Sequence, residues 1–185
     1  MNRRLRFATA RQVFEAFPTA ASDIEAKPAD IGPVAFVEAL AGGPTPEDGL
    51  SFCAYLLPKR EAVWWACNCI RSIEGSLSEV DEKLLSIAET WVDEPEEVNR
   101  RAALLASEGM TVRSPSSWAL LAAAWSGGSM VADAERPVPP PAHLTAQAVR
   151  AAVLTSLARV PTRSRRTTLD ACIATAMRLV TSERA

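Results

Sequence analysis

Apolar residues recur along most of the chain at spacings of three and four, and Pro and Gly interrupt them repeatedly, which is the pattern of a series of short amphipathic helices. Val13, Phe14 and Phe17 define an inward face over residues 9–17, and Pro18 ends that helix. Phe36, Val37 and Leu40 mark a shorter one closed by Gly42-Gly43. Thr45, with Pro46 next and Asp48 three positions on, reads as the N-cap of a helix that carries Leu50, Phe52, Cys53, Leu56 and Leu57. After Pro58 comes the most strongly periodic stretch, residues 59–73. Ala62, Val63, Ala66, Cys69, Ile70 and Ile73 share one face, Arg60, Glu61, Asn68, Arg71 and Ser72 share the other, and Trp64 and Trp65 fall with the polar set.

Ser78 followed by Glu79, Asp81 and Glu82 places a cap and early acids where a helix macrodipole favours them, ahead of an inward stripe of Leu84, Leu85, Ile87, Ala88, Trp91 and Val92. The next pattern, after Pro95, turns Val98, Ala102, Leu105 and Ala106 inward and stops at Gly109. Ser114-Pro115 opens another, through Trp118, Leu121, Ala122 and Trp125 to Gly127-Gly128. Residues 126–143 are rich in Gly and Pro, and the run from Pro137 to Pro141, broken only by Val138, favours an extended polyproline conformation. Two final helices follow, through Val149, Val153, Leu157 and Val160 and through Leu169, Cys172, Ile173, Ala176 and Val180. Two helices of this size cannot bury a core of their own. The expectation is therefore a single all-α domain over residues 1–185, an array or bundle of about eight helices in antiparallel pairs. Its core helices occupy residues 9–125, its crossover 126–143, and a docked C-terminal pair 144–182. No fixed-period repeat is present.

Composition supports a packed core without disulfides: 48% of 185 residues are apolar, and Cys53, Cys67, Cys69 and Cys172 sit in apolar settings where a thiol behaves as a small hydrophobe. No apolar run is long enough to span a membrane, and Arg3, Arg4 and Arg6 are not followed by the apolar stretch of a signal peptide, so a cytoplasmic protein is expected. Charge is unevenly placed although the net charge is only −2. Nine acids between Glu74 and Glu97 face a single Lys83, and eight arginines from Arg136 onward face only Asp170 and Glu183. These read first as solvated helix faces that pair loosely across the fold.

Local motifs for chemistry are lacking. Cys67 and Cys69, two apart on a helix, point about 200° away from one another and cannot share a metal ion or form a redox pair. The single histidine, His143, lies at the end of the proline run, just before an N-cap expected at Thr145, and no serine elbow accompanies it. Gly127-Gly128-Ser129 lacks the spacing and the lysine of a phosphate loop. No catalytic residue, metal or cofactor is assigned. Two surfaces stand out instead as protein-binding candidates. The first is Arg60, Glu61, Trp64 and Trp65, because aromatics on a polar helix face need either a covering element or a partner. The second combines Pro139, Pro140 and Pro141 with Arg163, Arg165 and Arg166.

The stretch from Leu56 to Cys67, with its Leu-Pro-Lys-Arg-Glu-Ala-Val-Trp-Trp run, then Trp125-Ser126-Gly127-Gly128-Ser129-Met130, then Val138-Pro139-Pro140-Pro141, resembles in content and order an uncharacterised family of small bacterial proteins. The resemblance spreads over residues 14–180 and brings no catalytic residues. Members of that family neighbour type VI secretion genes, which implies a cytoplasmic adaptor or chaperone-like protein whose partner is a secreted effector or a secretion component. Two alternatives belong to other classes: an enzyme whose site is assembled from acids and arginines of separate helices, and a helical regulator that touches nucleic acid through residues 159–166, a reading disfavoured by the acidic whole and by the absence of interleaved aromatics.

Overall fold

The computed structural model describes residues 6–110, 114–131 and 135–181, and among them the chain is all helical, with ten helices and no strand. They are α1 (Ala10–Ala16), α2 (Ala20–Asp23), α3 (Pro33–Ala41), α4 (Glu47–Leu56), α5 (Lys59–Ile73), α6 (Glu79–Asp93), α7 (Glu97–Ser107), α8 (Pro115–Ala124), α9 (Leu144–Ala158) and α10 (Thr162–Thr181). The count exceeds the expected eight partly because α2, a single turn of four residues, is too short to carry a hydrophobic period. Two helix starts carry a hydroxyl cap, Ser78 accepting from the Asp81 amide at 3.1 Å and Ser114 from the Ser117 amide at 3.2 Å, whereas Thr9 and Thr19 stand at the N-caps of α1 and α2 without such a bond. Thr45 behaves differently, since its hydroxyl bonds the Asp48 carboxylate and Pro46 takes the cap position of α4. Likewise α9 starts one residue ahead of Thr145, with His143 as its cap.

The chain divides into two compact units. One is continuous, Lys59–Arg159; the other joins Met1–Pro58 to Val160–Ala185. The last two helices, expected as a docked pair, belong to different units, α9 to the continuous one and α10 to the discontinuous one.

In the discontinuous unit α4 packs on α2, α3 and α10. Its core is built of rings: Phe36 and Phe52 meet edge to face with centroids 4.8 Å apart, and Phe14 lies 6.2 Å from Phe36 and 6.0 Å from Phe52. Phe17 extends the cluster to Tyr55 at 5.5 Å. The buried Asp48 carboxylate accepts the amides of Glu25 and Ala26 at 3.0 and 3.1 Å, which satisfies a turn that has no helix partner. Gly49 permits the approach of α10, because a Cβ there would stand 2.9 Å from the Ile173 Cδ1.

In the continuous unit α8 is the centre, in contact with α5, α6, α7 and α9. Every residue of Pro115–Ala124 except Trp118 is buried, and four of them are alanines that let neighbouring helices come close. α5 also packs on α6 and α9, and α6 on α7.

Candidate functional site

The two tryptophans of α5 go separate ways. Because α5 contacts three helices, its buried arc runs about 200° around the axis at 100° per residue, from Trp65 through Ala62, Ala66 and Ile70 to Cys67. Trp65 stands at the edge of that arc and is wholly buried, whereas Trp64 points away from its middle and is 37% exposed. A surface containing both side chains, as the sequence suggested, is therefore not formed, and Trp65 is a core residue.

The cations beside them close helix ends. Arg60 donates from Nε to the Val92 carbonyl at 2.6 Å and from Nη2 to the Asp93 carbonyl at 3.3 Å, at the C-terminus of α6. Lys59 donates from Nζ to the Ser126 carbonyl at 2.7 Å, just past the end of α8. The preceding carbonyl, Trp125, accepts from Thr145 Oγ1 at 3.0 Å. Arg100, only 4% exposed, supplies the rest: Nη1 reaches the Ala124 carbonyl at 2.7 Å and the Ser129 carbonyl at 3.0 Å, while Nε and Nη2 hold both oxygens of Glu97 at 2.6 and 2.7 Å. Gly128, at φ +59°, lies over this guanidinium, and a Cβ there would come within 2.7 Å of Nη2. Lys59 of the first run and Gly128 of the second thus meet in one arrangement that satisfies the end of α8, while Arg60 serves the end of α6. Ser129 then ties to the proline run, its hydroxyl accepting the Val138 amide at 3.0 Å.

Arg100 escaped the sequence reading because it sits on the wrong side of α7. The structure buries Arg100, Ala103 and Leu104 and leaves Val98, Ala102 and Leu105 exposed, the reverse of the expected inward set. α7 carries two apolar rows, and a guanidinium that must reach the α8 carbonyls selects between them. The signal in the sequence was an arginine three positions after Glu97 on the same helix, the spacing of an ion pair.

Trp64 lines a groove of about 240 Å³ between α5 and α6 with Cys67, Asn68, Glu89, Val92 and Asp93. Asn68 Nδ2 donates to the Trp64 carbonyl at 2.9 Å. Both Glu89 oxygens accept from Arg71, at 2.6 and 2.8 Å, and the same guanidinium holds Glu82 at 2.8 and 3.0 Å. Hydrogen bonds to Glu89 and then Glu82 raise Arg71 above its ordinary value, and the bond from Arg71 holds Glu82 below the usual carboxylate range. Burial first, and the Glu89 charge second, push the Cys67 thiol upward, so it is a protonated wall rather than a nucleophile. Cys53 is pushed up to about 12 by burial alone. Among the described residues no group of three His, Cys, Asp or Glu is placed to hold a metal ion.

The second candidate surface is divided between the units. Pro139, Pro140 and Pro141 lie before α9, with Pro139 and Pro141 exposed, while Arg163, Arg165 and Arg166 lie in the first turn and a half of α10. Arg165 donates to the Val160 carbonyl at 3.2 Å, and Arg166 to Asp170 at 3.0 Å and to the Ala41 carbonyl at 2.7 Å, closing the end of α3. Arg159 pairs with Glu74 at 3.1 Å, so part of the acidic belt does meet an arginine from the basic end. No described helix is long and apolar enough to cross a membrane.

A family model for a family of unknown function, DUF6931, matches residues 36–180, which takes in the whole continuous unit and parts of the other. Comparison with curated proteins gives no match, and neither does comparison with solved structures.

Proposed function

We propose that this chain, which belongs to the family of unknown function DUF6931, is a non-enzymatic adaptor or chaperone-like protein that captures another protein in the cytoplasm. The observation that carries the reading is Trp64: a large aromatic left 37% exposed beside a groove, next to a tryptophan that the fold covers completely. Trp is strongly enriched among binding hot spots, and an uncovered ring on the outward face of α5 is a place for a partner to bury apolar area. The resemblance to bacterial proteins encoded beside type VI secretion genes supports a secreted effector or a secretion component as that partner. Arg60 then acts by fixing the end of α6, the far wall of the groove, and Trp64 makes the contact.

The test is affinity capture of the tagged chain from lysate of its own source. The expected result is one stoichiometric partner, lost in Trp64→Ala with helix content and melting unchanged. Retention of the same partner by folded Trp64→Ala, or no partner on the wild type, overturns the reading. Trp65→Ala serves as the contrast: it removes a fully buried ring and is expected to cost about 3–5 kcal/mol of stability.

A further inference from the structure

The groove beside Trp64 has a sign of charge as well as an apolar wall. Its charged lining residues are Glu89 and Asp93, both acids. Asp93 is the last residue of α6, Glu94 follows it as the C-cap, and no basic residue occupies that final turn. A carboxylate at a helix C-terminus faces the negative end of the macrodipole, so the placement is opposed by the helix itself and relieved by a cation. Two arginines already approach; Arg60 meets the helix end itself, but neither is bonded to the Asp93 carboxylate. Arg71 is committed to Glu89 and Glu82, and Arg60 bonds the carbonyls of Val92 and Asp93 rather than the Asp93 side chain. The exposed Trp64 ring adds an aromatic surface on which a guanidinium stacks. The volume, about 240 Å³, is below the roughly 300 to 1,000 Å³ of small-molecule sites and suits one inserted side chain.

We infer that the groove receives a basic side chain, an arginine, from an extended segment of the protein partner, held between the Trp64 ring and the Asp93 carboxylate. The inference rests on the adaptor reading and specifies its partner: the captured segment is cationic, not merely apolar.

The probe is a blocked Gly-Gly-Arg-Gly-Gly peptide, with the norleucine peptide of the same length as control, titrated into the full chain. The readout is the Trp64 indole N–H resonance, assigned by its absence in Trp64→Phe. A saturable shift is expected with the arginine peptide, falling as salt rises, and Asp93→Asn is expected to weaken it roughly tenfold, the order of one charge-assisted hydrogen bond. Equal binding of the norleucine peptide, undiminished binding by Asp93→Asn, or no shift with the arginine peptide overturns the inference. Capture from lysate separates the two claims: a partner lost by Trp64→Ala but kept by Asp93→Asn leaves the adaptor standing and removes the arginine.

Discussion

All five phenylalanines and the tyrosine lie in the discontinuous unit, and all five tryptophans lie in the continuous one. The first unit is held by ring against ring, with Phe14, Phe36 and Phe52 in mutual contact, and the Asp48 carboxylate closes a turn at Glu25 and Ala26. The second wraps four helices around an alanine-rich α8, and its polar ends are closed by Lys59, Arg60, Arg100 and Thr145. Small residues bring backbones close, and that leaves terminal carbonyls buried where water cannot serve them, so long cationic side chains must. Apolar area is the main stabilising quantity in one unit; in the other it is joined by a set of charge-assisted hydrogen bonds.

The largest effects expected are one in each unit. Arg100→Leu leaves the Ala124 and Ser129 carbonyls without their donor and is expected to cost about 3–5 kcal/mol, read by tryptophan fluorescence, which reports the continuous unit alone. Phe52→Ala removes the middle of the ring cluster for a similar loss of about 3–5 kcal/mol. Hydrogen exchange followed by mass spectrometry assigns each loss: deprotection of α7 and α8 in the first variant, and of α1, α3 and α4 in the second. Equal deprotection of both sets by either variant breaks the comparison.

Gly128→Ala is expected to cost about 2 kcal/mol, from a positive φ and the displacement of the Arg100 guanidinium. Its neighbour sharpens the point, because a Cβ at Gly127 meets open space and Gly127→Ala should stay within about 0.5 kcal/mol in denaturant unfolding.

Acid acts through the same arginine. Arg100 holds the Glu97 carboxyl below the usual range by hydrogen bond first and charge second. A carboxylate depressed in the folded state adds stability above its unfolded pKa and loses it as pH falls through the folded value. The continuous unit is therefore expected to weaken below about pH 4.5, and Glu97→Gln to flatten that slope in a series of tryptophan-monitored unfolding curves.

The smallest effect expected is at Val98. It is 67% exposed, so Val98→Ser should change melting by no more than about 0.5 kcal/mol, whereas Leu104→Ala, on the buried row of the same helix, should cost about 2–5 kcal/mol. The opposite ranking would return α7 to the orientation that its hydrophobic pattern suggested.

That pattern was legible for what is local. Val13, Phe14 and Phe17 point inward as their spacing implies, Ser78 and Ser114 cap the helices that follow them, and the Gly and Pro stops fall between helices. It was less legible on α5, where contact with three neighbours widened the buried arc until it took in Trp65 but not Trp64. On α7, with two apolar rows to choose from, it pointed the wrong way.

Helix class and most helix boundaries belong to the sequence itself, because capping, proline stereochemistry and i to i+4 spacing act within a turn or two of chain. Tertiary structure alone decided which tryptophan faces solvent, which row of α7 is buried, and that α9 and α10 serve different units. Each of these depends on groups brought from 20 to more than 100 residues away, such as the Arg100 guanidinium under Ser129 or Arg166 at the Ala41 carbonyl, and no periodicity along the chain encodes which buried carbonyl a distant cation will reach.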